Sequence, residues 1–296
     1  MTRRSWALLG LLASLWGASY LFIKLGLEDL SPAMIVFART ALGALVLVPL
    51  ALHRRALAAL RGRWPTVLGL ALLEVAGPFT LITVGERWIP SALAGILVAS
   101  VPMFTAVLAI WIDQQERSHG WSVVGIAIGI VGVALLLGVD LGGEASTLLG
   151  GILVLLAGLG YALGGFVIKH RFPGAQPIGI AAATMVATAA VMLPFALATA
   201  PAEVPGLEAS AAVLALGVGG TGIAFFLFYT LIAEVGPARA STVAYLAPGF
   251  AVVYGAVLLD EPITAATLAG LGLIVGGSWL AAEGRPPGRA RAESSS

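Results

Sequence analysis

The sequence predicts an all-α integral membrane protein of ten transmembrane helices, arranged as two inverted five-helix repeats with both termini cytoplasmic. Three observations predict it. Hydrophobic residues fill 59% of the 296 positions, charged residues only 10%, and mean hydropathy is +1.00. A water-soluble chain of this length needs far more charged surface. Apolar runs of roughly 18 to 22 residues, enough to cross a ~30 Å hydrocarbon core as helix, recur along the whole chain. Finally, landmarks of the first half return about 145 residues later in the second.

The runs fall near 6–24, 32–52, 65–85, 90–112, 120–138, 149–168, 178–198, 210–231, 238–259 and 264–282. Each must be helical, because an open strand leaves backbone groups unpaired in lipid. The first follows Arg3-Arg4, as a signal peptide does, but nine spans follow and no convincing small-x-small cleavage site precedes Lys24, so it is read as a retained helix. Residues 284–296, rich in Pro, Arg and Ser, read as a disordered cytoplasmic tail. With the N-terminus inside, thirteen of the sixteen Lys and Arg residues fall in cytoplasmic segments, while the outer segments collect acids such as Glu28, Asp29, Glu86 and Glu261.

The repeat is plain at "SLWGASYLFIKLG" (Ser14–Gly26) and "GLGYALGGFVIKHR" (Gly158–Arg171), where Lys24 falls on Lys169. At the same offset Pro32 matches Pro177, Pro49 matches Pro194, Gly125 matches Gly270 and Glu116 matches Glu261; one residue further on, Phe79 matches Phe225 and Pro102 matches Pro248. Residues 1–140 and 146–283 are therefore the two repeats. Five spans in each is an odd number, so the second repeat enters the membrane upside down relative to the first. Lys24 and Lys169 then belong at opposite faces, as anchors snorkelling to the headgroups.

The stretch "WGASYLFIKLGLEDLSPAMIVFARTALGALVLVPLAL" (Trp16–Leu52) resembles the first two helices of EamA-type carriers of the drug/metabolite transporter superfamily. "SALAGILVASVPMFTAVLA" (Ser91–Ala109) and "ASTVAYLAPGFAVVYGAVLLDEPIT" (Ala240–Thr264) resemble the family's fourth and ninth helices, with a proline in each. The resemblance implies a multi-pass carrier of the bacterial inner membrane, commonly an exporter of amino acids or other small metabolites. It also implies a central cavity among the first, third, fourth, sixth, eighth and ninth helices.

Polar groups within the spans are the candidates for transport. Glu74 is the acid well inside a span, about nine residues or ~14 Å from the third helix's cytoplasmic start. Arg39 lies about seven residues, ~10 Å, below the outer end of the second. Their heights allow an Arg39–Glu74 pair, either a static lock between helices or a site for substrate or protons. Trp16, Ser19 and Tyr20, then Tyr161, Phe225, Tyr229 and Tyr245, form a second set, suited to core packing or to the wall of a site. Pro78, Pro102 and Pro248 interrupt the third, fourth and ninth helices and are candidate hinges. Glycine rows at Gly125, Gly129 and Gly132 and at Gly270, Gly272, Gly276 and Gly277 assign the fifth and tenth helices to scaffold or homodimer contacts.

Other functions find little purchase. There are no cysteines, and His53, His119 and His170 sit in polar breaks, so no metal or cofactor is expected. No HExxH, Gly-x-Ser-x-Gly or P-loop sequence is present to make an enzyme, and nothing suggests a nucleic-acid partner. The sequence thus points to a secondary transporter with a small-molecule substrate, driven by proton antiport through Glu74 or by facilitated diffusion, and with a midplane cavity open alternately to each side. A channel or uncoupled facilitator is the alternative.

Overall fold

The computed structural model describes residues 1–112, 120–140 and 144–283; Glu116, Arg117, His119 and the expected tail lie outside them. Ten apolar helices emerge: α1 (Arg3–Gly26), α2 (Pro32–His53), α3 (Trp64–Gly85), α4 (Ser91–Ile112), α5 (Trp121–Gly138), α6 (Ala145–Arg171), α7 (Pro177–Ala198), α8 (Leu207–Val235), α9 (Val243–Leu258) and α10 (Ala265–Glu283). Among the described residues, nine are long enough to span a bilayer unaided, and α9, with 16 residues, is preceded by a separate helical turn at Pro237–Ala240. The expected span 238–259 is thus split. Gly236, at φ +83°, turns the chain before that turn begins, a conformation that costs glycine little.

Helix starts follow local chemistry. The side chains of Thr2 and Ser31 accept the free N–H groups of Ser5 and Met34 at the starts of α1 and α2. Proline occupies the first turn of α2, α3 and α7, where its missing N–H costs nothing.

The packing partners display the duplication. α2 lies against α7, and α5 against α10; α1 packs on α8 and α9 as α6 packs on α3 and α4. These contacts exchange between the repeats, whereas α4 packs against α10 far more than α9 does against α5. The connections sort into two ends. At the end holding the N-terminus, which we call the near end, Arg4 pairs with Glu234 at 3.1 Å, Arg63 Nη1 donates to the Arg171 carbonyl and Gln176 Nε2 to the Arg54 carbonyl. At the far end, Ser31 bonds Thr199 at 2.6 Å and the Gly206 N–H donates to Asp29 at 2.7 Å. Both described chain ends lie on the near side.

The glycine rows of α5 and α10 are used within the chain. A Cβ on Gly125 would lie 2.7 Å from the Gly277 carbonyl oxygen, and one on Gly277 would lie 2.7 Å from that of Gly125, so the two backbones touch. Gly272 and Gly276 face open space. The outer surface is apolar, with Leu45, Leu197 and Val257 about 70% exposed, as lipid contact demands. Five of the seven tryptophans, Trp6, Trp64, Trp88, Trp111 and Trp121, are exposed near helix ends, the positions of an interfacial belt.

Candidate functional site

A cavity of about 380 Å³ opens among α1, α3, α4, α6, α7, α8 and α9, with α2 contributing Arg39. Glu74 owes its position to a π-helical stretch, Ala71–Ala76, that ends at Gly77-Pro78. Pro78 has no N–H for the carbonyl four residues back, so regular α-helix is broken there, and a π-turn is a common form of such a break at functional sites. Opposite it, α6 approaches closely at Gly164, where a Cβ would lie 2.7 Å from the Glu74 Cβ. Pro78 itself is buried beside Gly160 rather than on the cavity wall.

The repeat mate of α3 carries the matching distortion. α8 is π-helical over Ala215–Ile223, and Thr221 in that stretch accepts the Arg39 Nε–H at 2.9 Å while donating its own proton to the Leu216 carbonyl. The Arg39 guanidinium also rests on the face of Phe79, 3.7 Å from the ring centre, a cation–π contact in a desolvated setting. Arg39 is 7% exposed. The expected Arg39–Glu74 pair is not formed. Both side chains line the cavity, yet Arg39 is held by Thr221 and Phe79, because α2 packs against the π stretch of α8. Thr221→Val keeps the shape but removes the acceptor of Arg39 Nε; thermal unfolding in detergent should show a loss of about 1–3 kcal/mol, the usual cost of stranding a buried donor.

One wall is aromatic. Trp16 meets Phe225 edge-on at 6.1 Å and Phe228 at 5.2 Å, and Tyr229 lies 6.0 Å from Phe225. Tyr20 and Tyr161 stand near Arg39. Phe228 was not among the sequence candidates, although it sits one helical turn from Phe225 and Ala224 and so shares their side of α8. Ser19 borders the cavity, but its hydroxyl bonds the Leu15 carbonyl of its own helix.

Tyr245 does not join this wall. Ala244, Ala247 and Pro248 make the cavity stripe of α9, and Tyr245, one residue past Ala244, is turned about 100° away, towards Glu283. Pro248 lines the cavity; Pro102 does not, but its neighbours Val98, Ala99 and Val101 do. There α4 breaks at Ala99-Ser100, and the freed groups are taken up locally: Ser278 Oγ of α10 donates to the Ala99 carbonyl at 2.7 Å and Ser100 Oγ to that of Leu97.

At the far end the cavity stops at Ile23 and Ile82, 1% and 3% exposed, whereas Val101, Ile168 and Ala244 towards the near end are half-buried. Beyond the two isoleucines lies a polar cluster. Lys24 does not snorkel to the surface: its ammonium donates to the carbonyls of Glu86 at 2.6 Å and Ile89 at 3.0 Å, closing the turn after α3. Glu261, from the segment before α10, accepts the N–H groups of Ser91 and Ala92 and so caps α4 from outside it. Between them Glu86 is fully buried. Lys169, the repeat mate of Lys24, is exposed.

Comparison with known proteins decides the family. The model of the EamA-like transporter family matches residues 4–138 and, a second time, residues 148–282. The chain belongs to the EamA-like transporter family. This EamA-like chain is 34% identical over 269 residues to the uncharacterized inner membrane transporter YedA of Escherichia coli K12, covering 88% of this chain and 85% of that one. It is 29% identical to the uncharacterized transporter YvbV of Bacillus subtilis, over 92% and 89% of the two chains. A probable amino-acid metabolite efflux pump of Escherichia coli K12 is 24% identical over 95% of each. One crystal structure shares the fold with a TM-score of 0.68 at 24% identity, over 95% of this chain and 98% of the other. A multi-pass membrane transporter built from two EamA-like units is therefore the frame in which the cavity is to be understood.

Proposed function

We propose that this EamA-like chain is a secondary carrier that exports small zwitterionic metabolites, amino acids foremost, by exposing its cavity alternately to the two faces of the membrane. The observation that carries the reading is the unpaired state of Arg39 and Glu74 on one small cavity. A cation and a carboxylate that do not neutralise each other leave two complementary handles, one for a substrate carboxylate and one for its ammonium. The aromatic wall between α1 and α8 suits an apolar side chain, and a volume of about 380 Å³ fits a molecule of that size. A carboxylate able to hold either an ammonium or a proton also permits exchange of one for the other.

The near end is the proposed cytoplasmic end, because it gathers the basic segments. The Escherichia coli relative described as an inner membrane transporter favours that membrane, and the one described as an efflux pump favours export. The sealed far end supports a carrier over an open channel. Counterflow tests the proposal: liposomes holding the purified protein and loaded with unlabelled amino acid should accumulate labelled amino acid transiently. Absence of counterflow for every amino acid, or a large unitary conductance, overturns it.

A further inference from the structure

The third span of each repeat ends on a glutamate, Glu86 after α3 and Glu234 near the end of α8, and the two environments are opposite. The Glu234 side chain is 25% exposed, paired with Arg4 and bonded by the Ser5 hydroxyl. Glu86 is 0% exposed, and neither of its carboxyl oxygens has a hydrogen-bond partner. The groups that face it are Tyr20 and Lys24 of α1, Arg39 of α2 and Glu261 before α10. Lys24 directs its ammonium to two backbone carbonyls, and Glu261 is engaged with the start of α4. An ionised carboxylate without a donor in such a place is strongly disfavoured, whereas a protonated one is tolerated. Burial lifts the Glu86 carboxyl well above the usual carboxylate range; Lys24 pulls it down, Glu261 pushes it up again and Arg39 lowers it further.

We propose that Glu86 is a proton-binding site that latches the far end of the cavity, holding a proton while that end is closed and giving it to water when the end opens. Opening breaks the Lys24 and Glu261 contacts, wets the Glu86 carboxyl and leaves a carboxylate and a hydronium ion. The inference rests on the transport reading in that it gives the far end a reason to open. A carboxyl whose affinity for protons is raised in the closed form favours closure at low pH, and that preference is lost as pH rises through the raised value.

The chain has no native cysteine, so Ile82→Cys supplies a single reporter on the cavity side of the latch. A membrane-impermeant maleimide is confined to the far-end side of sealed vesicles of known orientation. The ratio of labelling rates without and with Glu86→Gln cancels the thiol's own titration. That ratio should rise with pH, by up to about tenfold per unit for one proton. A ratio that stays flat overturns the proposal. If Glu86→Gln does not fold, Glu261→Gln, which removes the neighbouring negative charge, should move the midpoint of far-side labelling to lower pH; an unmoved midpoint overturns it equally. Labelling needs no substrate. A pH-dependent ratio without counterflow therefore rejects the transport reading and keeps the proton site, and counterflow with a flat ratio does the reverse.

Discussion

Replacing Arg39 by Gln should reduce amino-acid counterflow about 100-fold while leaving a folded protein. Arg39 is the cation of the cavity, and its guanidinium is partnered by a threonine hydroxyl and a phenylalanine face rather than by a carboxylate. Its charge is therefore available to an incoming anion, and a charge-assisted hydrogen bond in a buried site is commonly worth about 2–4 kcal/mol, or roughly 30- to 1,000-fold in affinity. Gln can still donate a hydrogen bond to Thr221, and it removes a buried charge, so the helices have reason to stay together. Counterflow at several substrate concentrations, beside thermal unfolding of the same preparation, checks both parts. Counterflow within threefold of wild type would remove Arg39 from the binding site.

The second large effect is on folding. Gly125→Leu should abolish recovery of monodisperse protein, because its Cβ enters the space held by the backbone of Gly277 and Ala281, and backbone has no rotamer by which to yield. Gly277→Val should do the same from the other side, against Gly129 and Gly125. Gly272→Leu and Gly276→Leu on the same helix should be recovered normally, since nothing lies within 4 Å of either added Cβ. Fluorescence-detected size-exclusion chromatography of the four variants separates the cases. Loss of all four would mean that the lipid-facing side of α10 is itself an interface, which is the expected homodimer contact.

The fold was legible in the sequence because its signals are one-dimensional. Span length, proline spacing and the five-plus-five echo survive without knowing any contact, and the helices begin and end within a few residues of the apolar runs. The site was legible only in part. Rise per residue placed Arg39 and Glu74 at compatible heights, but height says nothing of azimuth. The facing of α2 towards α8 gave Arg39 to Thr221 instead, and a π-helical stretch is not visible as an apolar pattern. Tyr245 was misplaced for the same reason, since one step of 100° separates it from the stripe at Ala244. Glu86 was missed because it lies just past the end of an apolar run, where acids are ordinarily solvated. The charged groups that face it, Lys24 and Glu261 among them, come from distant parts of the chain. The doubled Glu at the end of α3 and α8 was the available clue.

The Ser278 hydroxyl bound to the Ala99 carbonyl has a mechanical meaning. A broken helix is ordinarily the compliant point of a bundle, but here the loose end of α4 is fastened to α10, which is itself in backbone contact with α5. The kink beside Pro102 then behaves as a brace: load applied to the cavity wall at Val98 and Val101 passes directly into α10 and the α5 backbone packed against it. Compliance is left to helices outside that frame, and a compound wedged against this wall would push on the whole α4–α5–α10 block as one piece.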